Sequence, residues 1–153
     1  MHLAQLNIGR LKHDPDDPRL HVFMDALDKM NAVAERMPGF VWRYTDDSGN
    51  ATATQVSHNP RVIINMSVWE DAPSLENFVW KTVHERFYSR RAAWFEPYGK
   101  PHLVMWWVPE GHRPTVNEGL MRLATLQAGG PGKKAFGWES LSDATLWREK
   151  SCA

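Results

Sequence analysis

The sequence predicts an α+β domain in which a four-stranded antiparallel sheet carries helices in a split βαβ, ferredoxin-like, order. Three observations lead there. Two segments, HLAQLNI and RVIINMSVW, alternate in character with the two-residue period of a strand. Each is followed by a stretch with apolar residues at helical spacing, LHVFMDALDKMNAVAERM and ENFVWKTVHERF. The resulting order is strand, helix, strand, strand, helix, strand, with a further helix and a tail behind it. The chain has 153 residues, a common size for one domain. We therefore expect a single domain over 1–153, with a core over about 2–128 and an extension over 129–153.

The first strand, residues 2–8, places Leu3, Gln5 and Asn7 on one face and Ala4, Leu6 and Ile8 on the other. HDPDDPR then reads as an acidic turn leading into a helix over about 19–37, which Pro38 and Gly39 stop. FVWRYT is a second strand ending near Thr45, and DDSGNATATQVSHNP is an exposed polar connection. The third strand directs Val62, Ile64, Met66 and Val68 to one side and Ile63, Asn65, Ser67 and Trp69 to the other. Pro73 and Ser74 mark the start of the next helical stretch, which ends before Pro97 as one kinked or two short helices. HLVMWWV is the fourth strand. A helix follows with Thr115 as N-cap, Glu118 as its capping-box partner, and Gly129 and Gly130 as the stop. The residues from Ala135 onward fit no single element. Helices on one side leave the second sheet face needing cover, which in small domains a second subunit often supplies.

Composition excludes several function classes. Eighteen Lys and Arg balance 18 Asp and Glu, so no net charge draws the chain to nucleic acid or to an anionic membrane surface. The only thiol, Cys152, rules out an internal disulfide and a cysteine-based metal cluster within one chain. No apolar run has the length of a membrane span or a secretory h-region, and the expected location is the cytoplasm. Eight Trp residues are the outstanding feature, and they serve cores, interfaces and flat ligand pockets alike.

Asn7 in the first strand, VWED at the end of the third, and FVWKTVHERF in the following helix resemble the dimeric α/β-barrel superfamily, which includes antibiotic-biosynthesis and haem-degrading monooxygenases. Over most of the chain, and most specifically in RRAAWFEP and WWVPEGHRPT, the sequence looks like an uncharacterised domain-of-unknown-function family (number 3291) assigned to that superfamily. The resemblance implies a homodimeric α/β barrel with a ligand pocket between each sheet and its own helices. Fold alone does not define the chemistry.

The candidate site is an acid/base with hydrogen-bond donors around an apolar cavity. His84 sits where the superfamily has a recurrent helix His, and its ordinary pKa suits proton transfer near neutrality; a buried structural role is the alternative. Arg91 lies seven residues on, near the His84 face of a continuous helix and with Tyr88 between them. It can hold a carboxylate, phenolate or enolate, or else pair with Glu85 or Glu96. Asn7, Asn65, Ser67 and Trp69, with Gln5, make strand faces too polar for a helix-packed core, and they line either a cavity or a wet dimer interface. Asn7 would orient an oxygen, and Trp69 and Trp94 would form walls. Trp80 enters through the haem-degrading relatives, whose strand Asn, helix Trp and helix His correspond most nearly to Asn7, Trp80 and His84. Trp80 and His84 stand closer together than in that pattern.

The functional expectation is a cofactor-independent enzyme of monooxygenase, isomerase or lyase type, abstracting a proton from a small aromatic or polyketide-like molecule. A noncatalytic small-molecule-binding or interaction dimer and a haem-binding or haem-degrading protein are the alternatives. No metal site is expected: His58, His102 and His112, with Asp46, Asp47 and Glu110, show no metal-ligand spacing. Ser67 and Ser89 lack a nucleophile-elbow context, and GGPGKK is not a phosphate-binding loop.

Overall fold

The structure, a computed structural model, describes residues 1–46, 48, 51 and 56–151. Asp47, Cys152 and much of the polar connection after the second strand lie outside the described residues. In chain order the elements are β1 (His2–Arg10), α1 (His21–Arg36), β2 (Phe40–Arg43), β3 (Val62–Trp69), α2 (Ala72–Lys81), α3 (Val83–Ser89), α4 (Arg91–Trp94), β4 (Leu103–Val108), α5 (Val116–Gly129) and α6 (Leu146–Ser151). Short 3₁₀ turns cover Pro18–Leu20 and Trp138–Ser140. The strands form one antiparallel sheet in the order β2-β3-β1-β4, the ferredoxin-like topology expected from the element order.

β1 runs two residues beyond the expected 2–8, and three further differences arise through a local hydrogen bond or irregularity. The first helix is regular only from His21, because Asp17 accepts from the Arg19 N–H and winds residues 18–20 into a 3₁₀ turn. β2 stops at Arg43 after a register shift between Phe40 and Trp42. The segment after β3 forms three helices. Thr82 leaves the helical region (φ −125°, ψ −171°), donates to the Phe78 carbonyl at 2.5 Å and accepts from the His84 N–H at 3.2 Å, so its hydroxyl competes with the helix ladder. A second break falls at Arg90 (φ −96°, ψ 4°). The 100° rule that linked His84 to Arg91 on one continuous helix therefore does not apply.

The two sheet faces have different fates. Ala4, Leu6, Ile8, Val62, Ile64, Met66, Val68, Val104, Trp106 and Val108 are all buried on one side. Their cover comes from the chain itself: Leu123 and Leu126 of α5, with Ala51, Trp42, Tyr44 and Val56. Gly119 lets α5 approach closely, since an added Cβ would lie 2.6 Å from Leu6 Cδ1. This face, for which the sequence reading looks to a second subunit, is buried by residues of the same chain. The opposite face, carrying Leu3, Gln5, Asn7, Asn65, Ser67, Trp69 and Met105, lies under α1 to α4. α1 turns Phe23, Leu27, Met30, Asn31 and Ala34 towards it at helical spacing.

The C-terminal extension docks as well. Met105 and Phe136 exchange backbone bonds at 2.8 and 3.0 Å beside β4, and Leu141 and Ala144 are buried. α6 packs on α2, where the Glu76 carboxylate accepts from the Leu146 N–H at 2.9 Å. Among the described residues, no helix is long and apolar enough to cross a membrane.

Candidate active site: a cavity between the sheet and its helices

A cavity of about 770 Å³ lies between the polar sheet face and α1 to α4. Its floor follows from strand register. Asn7 pairs directly with Asn65, Gln5 with Ser67 and Leu3 with Trp69, so the polar residues of β1 and β3 meet side by side. Gln5 is the hub: its amide nitrogen donates to Asn65 Oδ1 at 2.9 Å and to Ser67 Oγ at 2.8 Å, and its oxygen accepts from Asn7 Nδ2 at 3.2 Å. Trp69 Nε1 donates to Ser67 Oγ at 2.9 Å. Asn7 Oδ1 and Asn65 Nδ2 have no partner among the described residues, so the floor offers one acceptor and one donor to a guest.

His84 stands on the wall, with Phe78 and Phe87 at ring-centroid distances of 5.1 and 6.1 Å. Its Nδ1 lies 3.3 Å from the Val79 carbonyl oxygen. A carbonyl only accepts, so Nδ1 carries the hydrogen and Nε2 the lone pair. Nε2 has no hydrogen-bond partner among the described residues. Desolvation pulls the imidazole pKa down to about 4, outweighing the opposing bond to Val79, and the ring is neutral at physiological pH.

Trp80 and Tyr88 continue the wall, in edge contact at 5.2 Å. Trp80 is 5% exposed, and its Nε1 is buried with no acceptor among the described residues. At the rim the lining carries charge of both signs, Arg91 and Lys100 with Glu96 and Glu139. Arg91 lies over the Tyr88 ring at 3.9 Å and donates to the Tyr88 carbonyl at 2.9 Å. It forms no ion pair with Glu85 or Glu96; Glu96 instead meets Arg10 at 3.3 Å. Lys100 and His102 share this rim, and desolvation, aided by Arg91, lowers the His102 pKa.

The structure therefore gathers Asn7, Asn65, Ser67, Trp69, Trp80, His84, Tyr88 and Arg91 around one cavity, although His84, Tyr88 and Arg91 reach it from two helices. Trp94 lies apart: it is buried against Phe23 and Phe87 at 5.4 and 5.0 Å, outside the cavity lining. Trp69 lines the cavity, but one of its faces is taken by Phe78 at 5.3 Å and its surroundings closed by Phe40. The sequence reading places Gln5 with Asn7 on a face lining a cavity or an interface, but not as the hub of the network, which depends on the β1–β3 register. Asn31, Arg43 and Tyr44 also line the cavity, as do Trp138 and Trp147 of the extension, whose aromatic residues pointed to docking but not to where.

His58, His102 and His112 do not converge: among the described residues no three His, Cys, Asp or Glu side chains form a cluster able to hold a metal ion. His112 instead meets Glu118 at 2.7 Å. Thr115 accepts from the Glu118 N–H as the capping box requires, but the Glu118 carboxylate turns to His112 and to Trp106 Nε1. Burial alone would raise that carboxyl's pKa, and these two bonds bring it below the ordinary value.

Fold and site together define a ferredoxin-like α+β domain that encloses a mainly apolar cavity with an amide floor and a neutral histidine. The chain belongs to the family Domain of unknown function (DUF3291), whose model matches residues 2–152. No curated protein matches it. Among solved structures it is similar to a conserved protein from Methanosarcina mazei Go1, with 11% identity over 71% of this chain and 94% of that one, at a TM-score of 0.51. A protein of unknown function from Nitrosomonas europaea matches at 12% identity over 74% and 95%, with a TM-score of 0.51. A protein provisionally named an antibiotic biosynthesis monooxygenase, from Chloroflexus aurantiacus J-10-fl, matches at 16% identity over 74% and 98%, with a TM-score of 0.45. These likenesses concern the fold alone.

Proposed function

We propose that the chain is a cytoplasmic, cofactor-independent enzyme that takes a proton from a carbon acid, an aromatic or polyketide-like molecule of a size the cavity admits. The observation that carries this reading is the His84 Nε2 lone pair, unpartnered among the described residues of an otherwise mainly apolar cavity. A base this strongly desolvated is weak towards water. It strengthens when the substrate becomes an enolate or phenolate, because the new anion stabilises the imidazolium beside it. Asn65 Nδ2 is a donor for the substrate oxygen, and Arg91 supplies positive charge at the rim. Returning the proton to another carbon gives isomerisation, and expelling a leaving group from the carbanion gives lyase chemistry. With dioxygen, the substrate methylene supplies the electrons: one oxygen atom enters as a carbonyl and the other leaves as water.

The test begins with native mass spectrometry of protein purified from cells, followed by denaturation to release and identify any guest. Compounds of that class are then assayed for turnover with the wild type and with His84→Gln. We expect turnover to fall at least about a hundredfold in the variant while its circular dichroism is unchanged. Unaltered turnover removes His84 from the mechanism, and a bound guest without turnover supports the noncatalytic binding reading.

The same nitrogen favours a second reading. A histidine whose Nδ1–H is tied to a backbone carbonyl presents Nε2 as a metal ligand, and His84 is suited to hold haem iron beside Trp80. Haem would supply oxygen activation there. A Soret band on adding haemin, lost in His84→Gln, is the expected sign, and its absence from the wild type dismisses this reading.

A further inference from the structure

A second groove, of about 500 Å³, runs between α1 and α3 on the far side of Met30 and Phe87, which it shares with the main cavity. Val33 and Phe87 form a partly exposed apolar floor over the buried Met30 and Trp94. Four exposed cations edge it, Lys29 and Arg36 from α1, and Arg86 and Arg90 from α3 and its C-cap. Among the described residues none of the four forms an ion pair. Arg36 Nε donates to its own helix at the Ala32 carbonyl, and the Arg90 guanidinium lies 5.2 Å from the Trp94 ring centroid. In a chain of no net charge, four unneutralised cations around an apolar seam are a local concentration of charge that folding itself does not require.

The placement of the charges decides the ligand class. Lys29 and Arg36 are seven residues apart, roughly 10 Å along α1, and Arg86 and Arg90 about one turn apart on the facing rim. Cations that line two rims, instead of converging on one point, match a ligand with several separated negative charges and an apolar stripe between them. We propose that this groove docks an acidic amphipathic helix of a partner protein, its apolar side chains on Val33 and Phe87 and its carboxylates against the two basic rims. The site is separate from the cavity chemistry and does not depend on it.

The probe is a fluorescein-labelled, capped peptide of roughly 14 residues, with Leu at helical spacings of three and four and Glu elsewhere, read by fluorescence anisotropy. We expect saturable binding that weakens as salt rises from about 0.05 to about 0.5 M. Binding should fall at least about tenfold in Arg86→Glu/Arg90→Glu and, independently, in Lys29→Glu/Arg36→Glu, with thermal melts showing both variants folded. A peptide carrying Lys in place of Glu should not bind. Absence of binding to the wild type, equal binding of the Lys peptide, or full affinity in both folded variants overturns the proposal. Co-sedimentation with phosphatidylserine vesicles in preference to the peptide also overturns it, in favour of a membrane surface.

Discussion

His84, partly buried among aromatic rings on the cavity wall, is kept neutral by desolvation, and that leaves a thermodynamic trace. Its folded pKa of about 4 lies below the ordinary 6.5. Between those values the unfolded chain binds the proton and the folded chain does not, so this residue's contribution to stability is present above pH 6.5 and is lost as pH falls towards 4. His84→Gln should flatten the thermal-stability profile across that interval, as followed by melts at stepped pH; an unchanged profile would mean that the ring is solvated. On the cavity floor, Gln5 makes three side-chain bonds while 4% exposed. Replacing it by Leu strands the Asn7 and Asn65 amides and one bond to Ser67, and should cost about 1–3 kcal/mol in urea unfolding. Both residues were visible in the sequence, His84 through its helical neighbourhood and Gln5 through alternation. Their partners were not, because the Asn7 to Asn65 pairing depends on register, which no local pattern specifies.

At the scale of elements, two contacts position the helices that flank the sheet. Gly119 lies in α5, where alanine would ordinarily favour a helix by about 1 kcal/mol. The fully buried Leu6 and the Met66 sulfur, 3.2 Å from an added Cβ, have no room to yield. Gly119→Ala should therefore destabilise by about 1–3 kcal/mol despite its better propensity, measured by chemical denaturation. α6 is held at its start by Glu76, which is buried on α2. Desolvation raises the Glu76 pKa, opposed by the bond from Leu146, so the folded state holds this proton more tightly than the unfolded one. That contribution is full below the ordinary carboxyl pKa of 4.5 and is lost as pH rises through the folded value. Glu76→Gln keeps an acceptor for Leu146 without the charge. Its melting temperature should gain on the wild type as pH rises from 4.5 towards neutrality, opposite in sign to the His84 effect. A break in this stretch was expected, but its places at Thr82 and Arg90 escaped the periodicity because the apolar spacing runs on across them; a threonine hydroxyl and one non-helical backbone conformation make the difference.

For the whole molecule, the decisive feature is that one chain covers both faces of its sheet. A monomer's melting temperature is independent of protein concentration from about 1 to about 100 µM, whereas a dimer that dissociates on unfolding melts higher as concentration rises. A homodimer of the kind the family resemblance implies would therefore show as a rise of melting temperature with concentration, even though each chain covers its own sheet. The C-terminal extension brings Trp138 and Trp147 to the cavity wall by docking on β4 and α2, so the helical layer and the tail line the cavity together.

Alternation, helical spacing, the Thr115 cap and the order of elements determined the ferredoxin-like class, because each is a property of neighbouring residues whose period matches one backbone geometry. The polar faces of β1 and β3 were determined in the same way, and with them the existence of a polar floor. Only the tertiary structure decided that these faces meet, that Trp94 belongs to the core, that α5 occupies the second sheet face and that the tail closes the cavity. Each of those outcomes depends on contacts between residues far apart in the chain, whose distances and registers are set by packing the whole and are not written in any local period.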